Sequence, residues 1–300
     1  MPETDFVVTF WGVRGSRPVP GAEVLQYGGN TACVEVLIGS TRIILDAGTG
    51  ICNLGKQLLG RGQKAYILIS HTHWDHIQGF PFFSPVFVPG NRFTLYGEGK
   101  MNVSFSRQMH DLMSDPHFPI QLDKVAAELS FREVTDGSLW YLPQGITIHA
   151  ARNRHPNGAL SFRVEHEGRS LCYMTDTEHQ SGVDERLLQI AKGVDLLIYD
   201  AQYTDEEYAA GKQGWGHSTW REGVKLAAAA GASRLLLFHH DPERRDHELE
   251  ALERLAQQSF SACLAAREGM VIRVSSMKSS LECCDSNEGD SRSPSVGWSL

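Results

Sequence analysis

No apolar run in this 300-residue chain reaches the roughly 18–20 residues that span a bilayer, so no membrane contact is expected. The opening MPETDFVVTF lacks a basic segment followed by an apolar one, and no signal peptide is expected. Positive charge is short. Lys and Arg number 28 against 36 Asp and Glu, a net charge of −8. Coating a phosphate backbone needs clustered cations, so extended nucleic-acid binding is not expected. Cysteine is scarce, and Cys33, Cys52, Cys172, Cys263, Cys283 and Cys284 make no CxxC pair. They read as reduced thiols in a cytoplasmic protein. No internal repeat keeps a fixed register.

What is present is a 41% hydrophobic composition, enough for a substantial core. Val-, Ile-, Leu- and Phe-rich runs such as FVVTFW (6–11), CVEVLI (33–38), RIILDA (42–47), AYILIS (65–70), SLCYMT (170–175), DLLIYDA (195–201) and RLLLFH (234–239) predict sheet strands. Helical patterns lie at 51–59, 184–192, 218–230 and 246–267. The third opens with Ser and Thr and stops at Gly231, as a capped helix does. Strands with interspersed helices predict sheets covered by helices, an α/β (α+β) chain. The segment 99–125 reads as an insertion over one face, in which His117 and Phe118 could line a pocket. The Ser-rich, aperiodic stretch 276–300 reads as a disordered tail, leaving one domain over 1–275.

Thirteen histidines are many, and three fall together. His71-Thr72-His73-Trp74-Asp75-His76 follows the strand AYILIS directly. A strand end fixes the backbone, and the loop after it gathers three imidazoles and a carboxylate, the ligands of borderline metals such as zinc. A polar loop with coincidental His is the bland alternative, and the added Asp makes it improbable.

This His-x-His-x-Asp-His pattern after a strand resembles the signature of the metallo-β-lactamase fold. The resemblance continues through Asp46 in ILDAGTG, His155 after ITIHAARNR, Asp176 in YMTDTEH, and His239 and His240 after RLLLF, covering about residues 5–275. It implies a four-layer αββα sandwich. It further implies two divalent ions, zinc first, with manganese or iron as alternatives. His71, His73 and His155 would hold one. Asp75, His76 and a late His would hold the other, with Asp176 between them and Asp46 orienting ligands from behind. For the late ligand, counting from His217 favours His239, whereas matching Arg244 and Asp246 favours His240. His239 is preferred because strand and helix lengths resist gaps.

Trp215-Gly-His217-Ser-Thr resembles ribonuclease Z and the small cyclic phosphodiesterases. That implies His217 protonates a leaving oxygen and Asp75 handles the attacking water's proton. The plainer reading makes His217 a neighbour of a helix cap. Ribonuclease Z enzymes carry a long arm between the third and fourth motifs. Here His155 and Asp176 are separated only by hairpin-like sequence turning at Glu167-Gly168. A small phosphodiester or cyclic nucleotide is therefore the expected substrate, with an RNA 3′-end nuclease or a lactone or β-lactam hydrolase as alternatives. Gly-Val-Arg14-Gly-Ser16 and Tyr-Gly-Gly-Asn30 also resemble this group, and Arg14, Ser16 and Asn30 are candidate phosphate contacts or a plain turn. The family's habit suggests a homodimer. His110, His117 and His179 read as surface or supporting residues.

Overall fold

The computed structural model describes residues 4–179 and 182–275; the expected tail 276–300 lies outside them. One sheet holds β1 (Phe6–Gly12), β2 (Cys33–Ile38), β3 (Thr41–Leu45), β4 (Lys64–Leu68), β5 (Arg92–Gly97) and β6 (Glu128–Glu133). The other holds β7 (Leu139–Leu142), β8 (Ile146–Asn153), β9 (Ala159–His166), β10 (Arg169–Met174), β11 (Leu196–Asp200), β12 (Leu235–Phe238) and β13 (Cys263–Ala265). The last strand, β14 (Val271–Arg273), returns to the first sheet. The orders are β14-β1-β2-β3-β4-β5-β6 and β13-β12-β11-β10-β9-β8-β7.

Alternation explains how the sheets face each other. In β1, Phe6, Val8 and Phe10 point inward and the residues between them are only half-buried, the period-2 pattern of a one-sided strand. They meet Phe162, Tyr173 and Phe238 of the second sheet, with the Phe10 and Phe238 rings 6.1 Å apart. The outer face of the first sheet, including Ile44, Ile67 and Leu95, is covered by α1 (Ile51–Gln57) and α3 (Phe105–Leu112), between which comes the short α2 (Trp74–Ile77). The second is covered by α4 (Glu185–Ala191), α6 (Trp220–Ala230) and α7 (Asp246–Ser259) through Leu187, Ala227 and Leu252; α5 (Asp205–Glu207) is a single turn. The expected αββα layering results. Helix α6 begins where the Thr219 hydroxyl accepts the Glu222 N–H and ends at Gly231 in the left-handed region.

The segment 99–125 lies in the crossover from β5 to β6, which pair in parallel and therefore need such a connection. One sequence expectation changes. The helix expected over 246–267 stops at Ser259, because β13 joins β12 in parallel at Leu235 and Cys263. Strands β7, β13 and β14 had no sequence signal. All three are short and sit at sheet edges. No helix among the described residues is long and apolar enough to cross a membrane, and Cys33, Cys52, Cys172 and Cys263 are free thiols.

The topology also decides where polar residues can gather. Strands β3 and β4 run parallel, as do β10, β11 and β12. Antiparallel to β9, which is antiparallel to β10, β8 shares the direction of β10. Asp46, His71, His155, Asp176, Asp200 and His239 therefore all lie at carboxyl ends of strands. Three of them, Asp46, Asp176 and His239, have φ of 61°, 52° and 58°.

Candidate metal centre

Strand β4 delivers the first cluster. Just beyond it His73 caps α2 in extended conformation, and the helical turn carries Asp75 and His76 inward. Across the gap between the sheets come His155 after β8, Asp176 after β10 and His239 after β12.

Their donor atoms form two adjoining sets. In the first, His73 Nδ1 lies 3.0 Å from His155 Nε2, and Asp176 Oδ2 lies 3.6 Å from His71 Nε2 and 3.5 Å from His155 Nε2. In the second, His76 Nε2 and His239 Nε2 are 3.3 Å apart. Each is 3.1 Å from Asp176 Oδ1, and Asp75 Oδ2 is 3.3 and 3.2 Å from them. Asp176 thus offers one carboxylate oxygen to each set.

The surroundings fix which nitrogen carries the proton. His155 Nδ1 donates to the Gly216 carbonyl at 2.8 Å, His76 Nδ1 to Asp46 at 2.7 Å and His239 Nδ1 to the Gln202 Oε1 at 3.0 Å. Those acceptors have no proton to give, so the lone pairs point inward. His71 Nε2 is buried without a hydrogen-bond partner among the described residues. Burial pulls the pKa of His71, His73 and His155 down, favouring the neutral form a cation requires. Lone pairs facing one another across about 3 Å fit divalent ions between them, at distances set by imidazole and carboxylate ligation.

Behind the ligands stands Asp46, fully buried. It accepts from the Ser70 N–H (2.7 Å), the Ser70 hydroxyl (2.8 Å), His76 Nδ1 (2.7 Å) and the Tyr173 hydroxyl (2.8 Å). Such an arrangement holds His76 in one orientation. The Asp75 Oδ2 also accepts the Ser16 N–H at 2.7 Å.

His217 Nδ1 donates to the Asp200 carboxylate at 2.9 Å, and its ring stacks on His239 with centroids 5.0 Å apart. Burial alone would lower its pKa, but the Asp200 and Asp176 carboxylates outweigh it and push it up to about 9. Glu178 positions the neighbouring loop by accepting N–H bonds from Gly214 and Gly216. Two glycines let backbone approach the imidazoles. A Cβ at Gly15 would come within 2.5 Å of the His239 ring, and one at Gly216, where φ is 90°, within 2.3 Å of His155 Nδ1.

The structure thus brings together His71, His73, Asp75, His76, His155, Asp176, His217 and His239, with Asp46 behind. His240 is turned away. It donates Nε2 to the Ala266 carbonyl at 2.8 Å, and burial, then Arg14, lower its pKa to about 3. Arg14 and Asn30 do not reach the site. The Arg14 guanidinium donates to the carbonyls of Gly28, Asp241 and Arg244, and Asn30 donates to Glu268. Ser16 lies close, its hydroxyl 3.4 Å from Gln202 Nε2. His179 meets the Ser218 hydroxyl instead. Asp200, Gln202, Tyr173, Ser70 and Glu178 were not singled out from sequence. Asp200 had a usable signal, an Asp ending the apolar strand DLLIYD as Asp46 follows β3. A cleft of about 610 Å³ opens beside His71 and His73, walled by His117 and other residues of 99–125, while Phe118 packs against Phe82.

Residues 41–240 match the family described as the beta-lactamase superfamily domain. The chain is 30% identical over 259 residues to ribonuclease BN of Escherichia coli, covering 71% of this chain and 82% of that one. It is 26% identical over 283 residues to ribonuclease Z of Porphyromonas gingivalis, covering 76% and 88%. The crystal structure of the metallo-beta-lactamase fold protein YhfI from Bacillus subtilis superposes with a TM-score of 0.67 at 19% identity, covering 90% of this chain and all of that one.

Proposed function

The chain belongs to the β-lactamase superfamily and is a hydrolase of that group, and from that premise we propose that it is a dinuclear-metal phosphodiesterase acting on a small, cyclic phosphodiester. The observation that carries the reading is the His217–Asp200 pair beside two groups of converging donor atoms that share Asp176; the pair itself converges with Asp176 and His239 in a third group. His71, His73, His155 and Asp176 would hold one ion. Asp75, His76, His239 and Asp176 would hold the other. Zinc suits the donors, and manganese or iron would be accepted by the same atoms. When bound, two divalent ions would supply positive charge at the phosphoryl oxygens and would acidify the attacking water.

The chain's own residues do the rest. Asp75, its carboxylate held by the Ser16 N–H, orients the water and receives its proton. Asp200 keeps the His217 proton on Nδ1 and stabilises the imidazolium, leaving Nε2–H free to protonate the departing alkoxide. Asp46 and Gln202 hold His76 and His239 in register.

A small substrate is favoured because only β9 and β10, joined by a turn at Glu167–Gly168, lie between His155 and Asp176, and because the chain carries net charge −8. The names of the relatives favour a second reading, an RNA 3′-end nuclease. The free thiols of Cys33, Cys52, Cys172 and Cys263 accord with a cytoplasmic location. The test is to assay the metal-loaded protein on bis-p-nitrophenyl phosphate, a nucleoside cyclic phosphate, a transfer-RNA precursor and nitrocefin, with metal analysis of the same sample. Hydrolysis of the cyclic ester with two ions per chain is expected. Turnover of the precursor RNA alone, or of nitrocefin alone, would reject the proposal.

A further inference from the structure

Trp74 stands between His73 and Asp75, yet its side is 65% exposed. The other described tryptophans all have partners. Trp11 donates to Glu35, Trp140 stacks on Tyr96, Lys212 sits 4.0 Å over Trp215 and Arg221 sits 4.5 Å over Trp220. The Trp74 indole has no hydrogen-bond, ring or cation partner among the described residues. It lines the cleft that opens at His71 and His73, and Met101 and Val103, both exposed, line the same space. An exposed apolar surface inside a cleft marks a place for a ligand. The ring is also well placed for it, since the backbone on either side is tied down by two ligand residues.

The charges of the cleft narrow the ligand. Its lining cation, Lys100, is bound to the buried Glu98 carboxylate, which also holds Arg152. Asp115 adds negative charge, while the Asp111 carboxylate is paired with Arg107 at 2.9 Å. The cleft therefore presents no unpaired Lys or Arg to a second phosphate, and nothing that would track a polynucleotide backbone. Its 610 Å³ lies within the range of about 300–1,000 Å³ that suits one small ligand. Asn157, whose side chain has no hydrogen-bond partner among the described residues, and His117 supply polar edges around the apolar floor.

We propose that Trp74 is a stacking platform for a nucleobase, so that the substrate is a nucleoside cyclic phosphate rather than a base-free ester or a polynucleotide. This rests on the phosphodiesterase reading of the adjacent centre. The base lies flat on the indole while the single phosphodiester reaches the ligand cluster.

Calorimetry on the metal-loaded protein tests the platform without turnover, using adenosine monophosphate and ribose 5-phosphate as probes. Base–aromatic stacking predicts that the wild type binds the nucleotide about 5- to 150-fold more tightly. Trp74→Ala should bring the two within about twofold, and Trp74→Phe should restore most of the preference. In turnover of adenosine 2′,3′-cyclic phosphate, the loss in Trp74→Ala should fall on KM rather than kcat. Metal analysis of each variant reports any disturbance of His73 or Asp75, and if Trp74→Ala loses metal, Trp74→Leu takes its place. Equal binding of the two probes by the wild type, or a preference that survives in Trp74→Ala, overturns the proposal. Hydrolysis of cyclic esters without base preference sinks the platform and leaves the phosphodiesterase standing. Base preference without any phosphodiester hydrolysis does the reverse.

Discussion

Replacing His217 by alanine separates proton donation from metal binding. The imidazole's Nδ1 is engaged by Asp200 at 2.9 Å and lies 3.9 Å from Asp176, so its loss removes no ligand atom from either set. Asp200 keeps N–H donors from Thr177 and Gln202, both at 3.2 Å. The fold should therefore lose only a charge-assisted hydrogen bond, about 1.5–3 kcal/mol. Turnover is another matter. A positioned proton donor contributes about 10²–10⁴-fold, or roughly 2.7–5.5 kcal/mol of barrier. That contribution matters only where the leaving oxygen is a poor leaving group. A ribose alkoxide needs the proton, and p-nitrophenolate leaves without it. Steady-state assays of His217→Ala on a nucleoside cyclic phosphate and on bis-p-nitrophenyl phosphate should show the full loss on the first and a much smaller one on the second, with both ions still bound. Asp200→Asn should repeat the selectivity, because the amide no longer stabilises the imidazolium. Equal losses on the two substrates would refute the reasoning and leave His217 a packing or binding residue.

Gly216→Ala should lower metal content, since its Cβ would fall 2.3 Å from His155 Nδ1 at a φ of 90°; elemental analysis checks this. Asp46→Ala should weaken metal binding about 10–100-fold, read by competition with a chelator, because His76 loses its anchor. Chelation should lower the thermal midpoint reversibly, each site contributing about 2.7 kcal/mol at free metal 100-fold above its Kd; a midpoint indifferent to chelator would count against both sites. Phe162→Ala should cost about 3–5 kcal/mol in denaturant unfolding, as the ring lies between the sheets.

The residues that converge at the candidate metal centre were legible because they follow runs of apolar residues that read as strands, and because the cluster at 71–76 fixes how the later ones are read. What stayed hidden depends on partners distant in sequence. Arg14 was read toward phosphate from its local Gly-rich setting, but its acceptors at Asp241 and Arg244 are more than two hundred residues away. Gly15 serves His239, which no local pattern discloses. Asp200 was passed over because an Asp at a strand end is ordinary until the loop before α6 places His217 against it. The edge strands β7, β13 and β14 are short and lack two buried faces, so periodicity had little to act on.

The left-handed backbone at Asp46, Asp176 and His239 has a consequence for the history of the sequence. Non-glycine residues held there cost on the order of 1–3 kcal/mol each, and glycine would relieve much of that. Selection for stability alone pulls these three positions toward glycine, and the metal-holding role proposed for them would keep their side chains in place. A descendant freed from catalysis should therefore lose its acidic and imidazole side chains at these turns first, while the strands leading to them persist. That edge would erode by becoming more comfortable, and its remnants would be read as glycines where this chain has Asp46, Asp176 and His239.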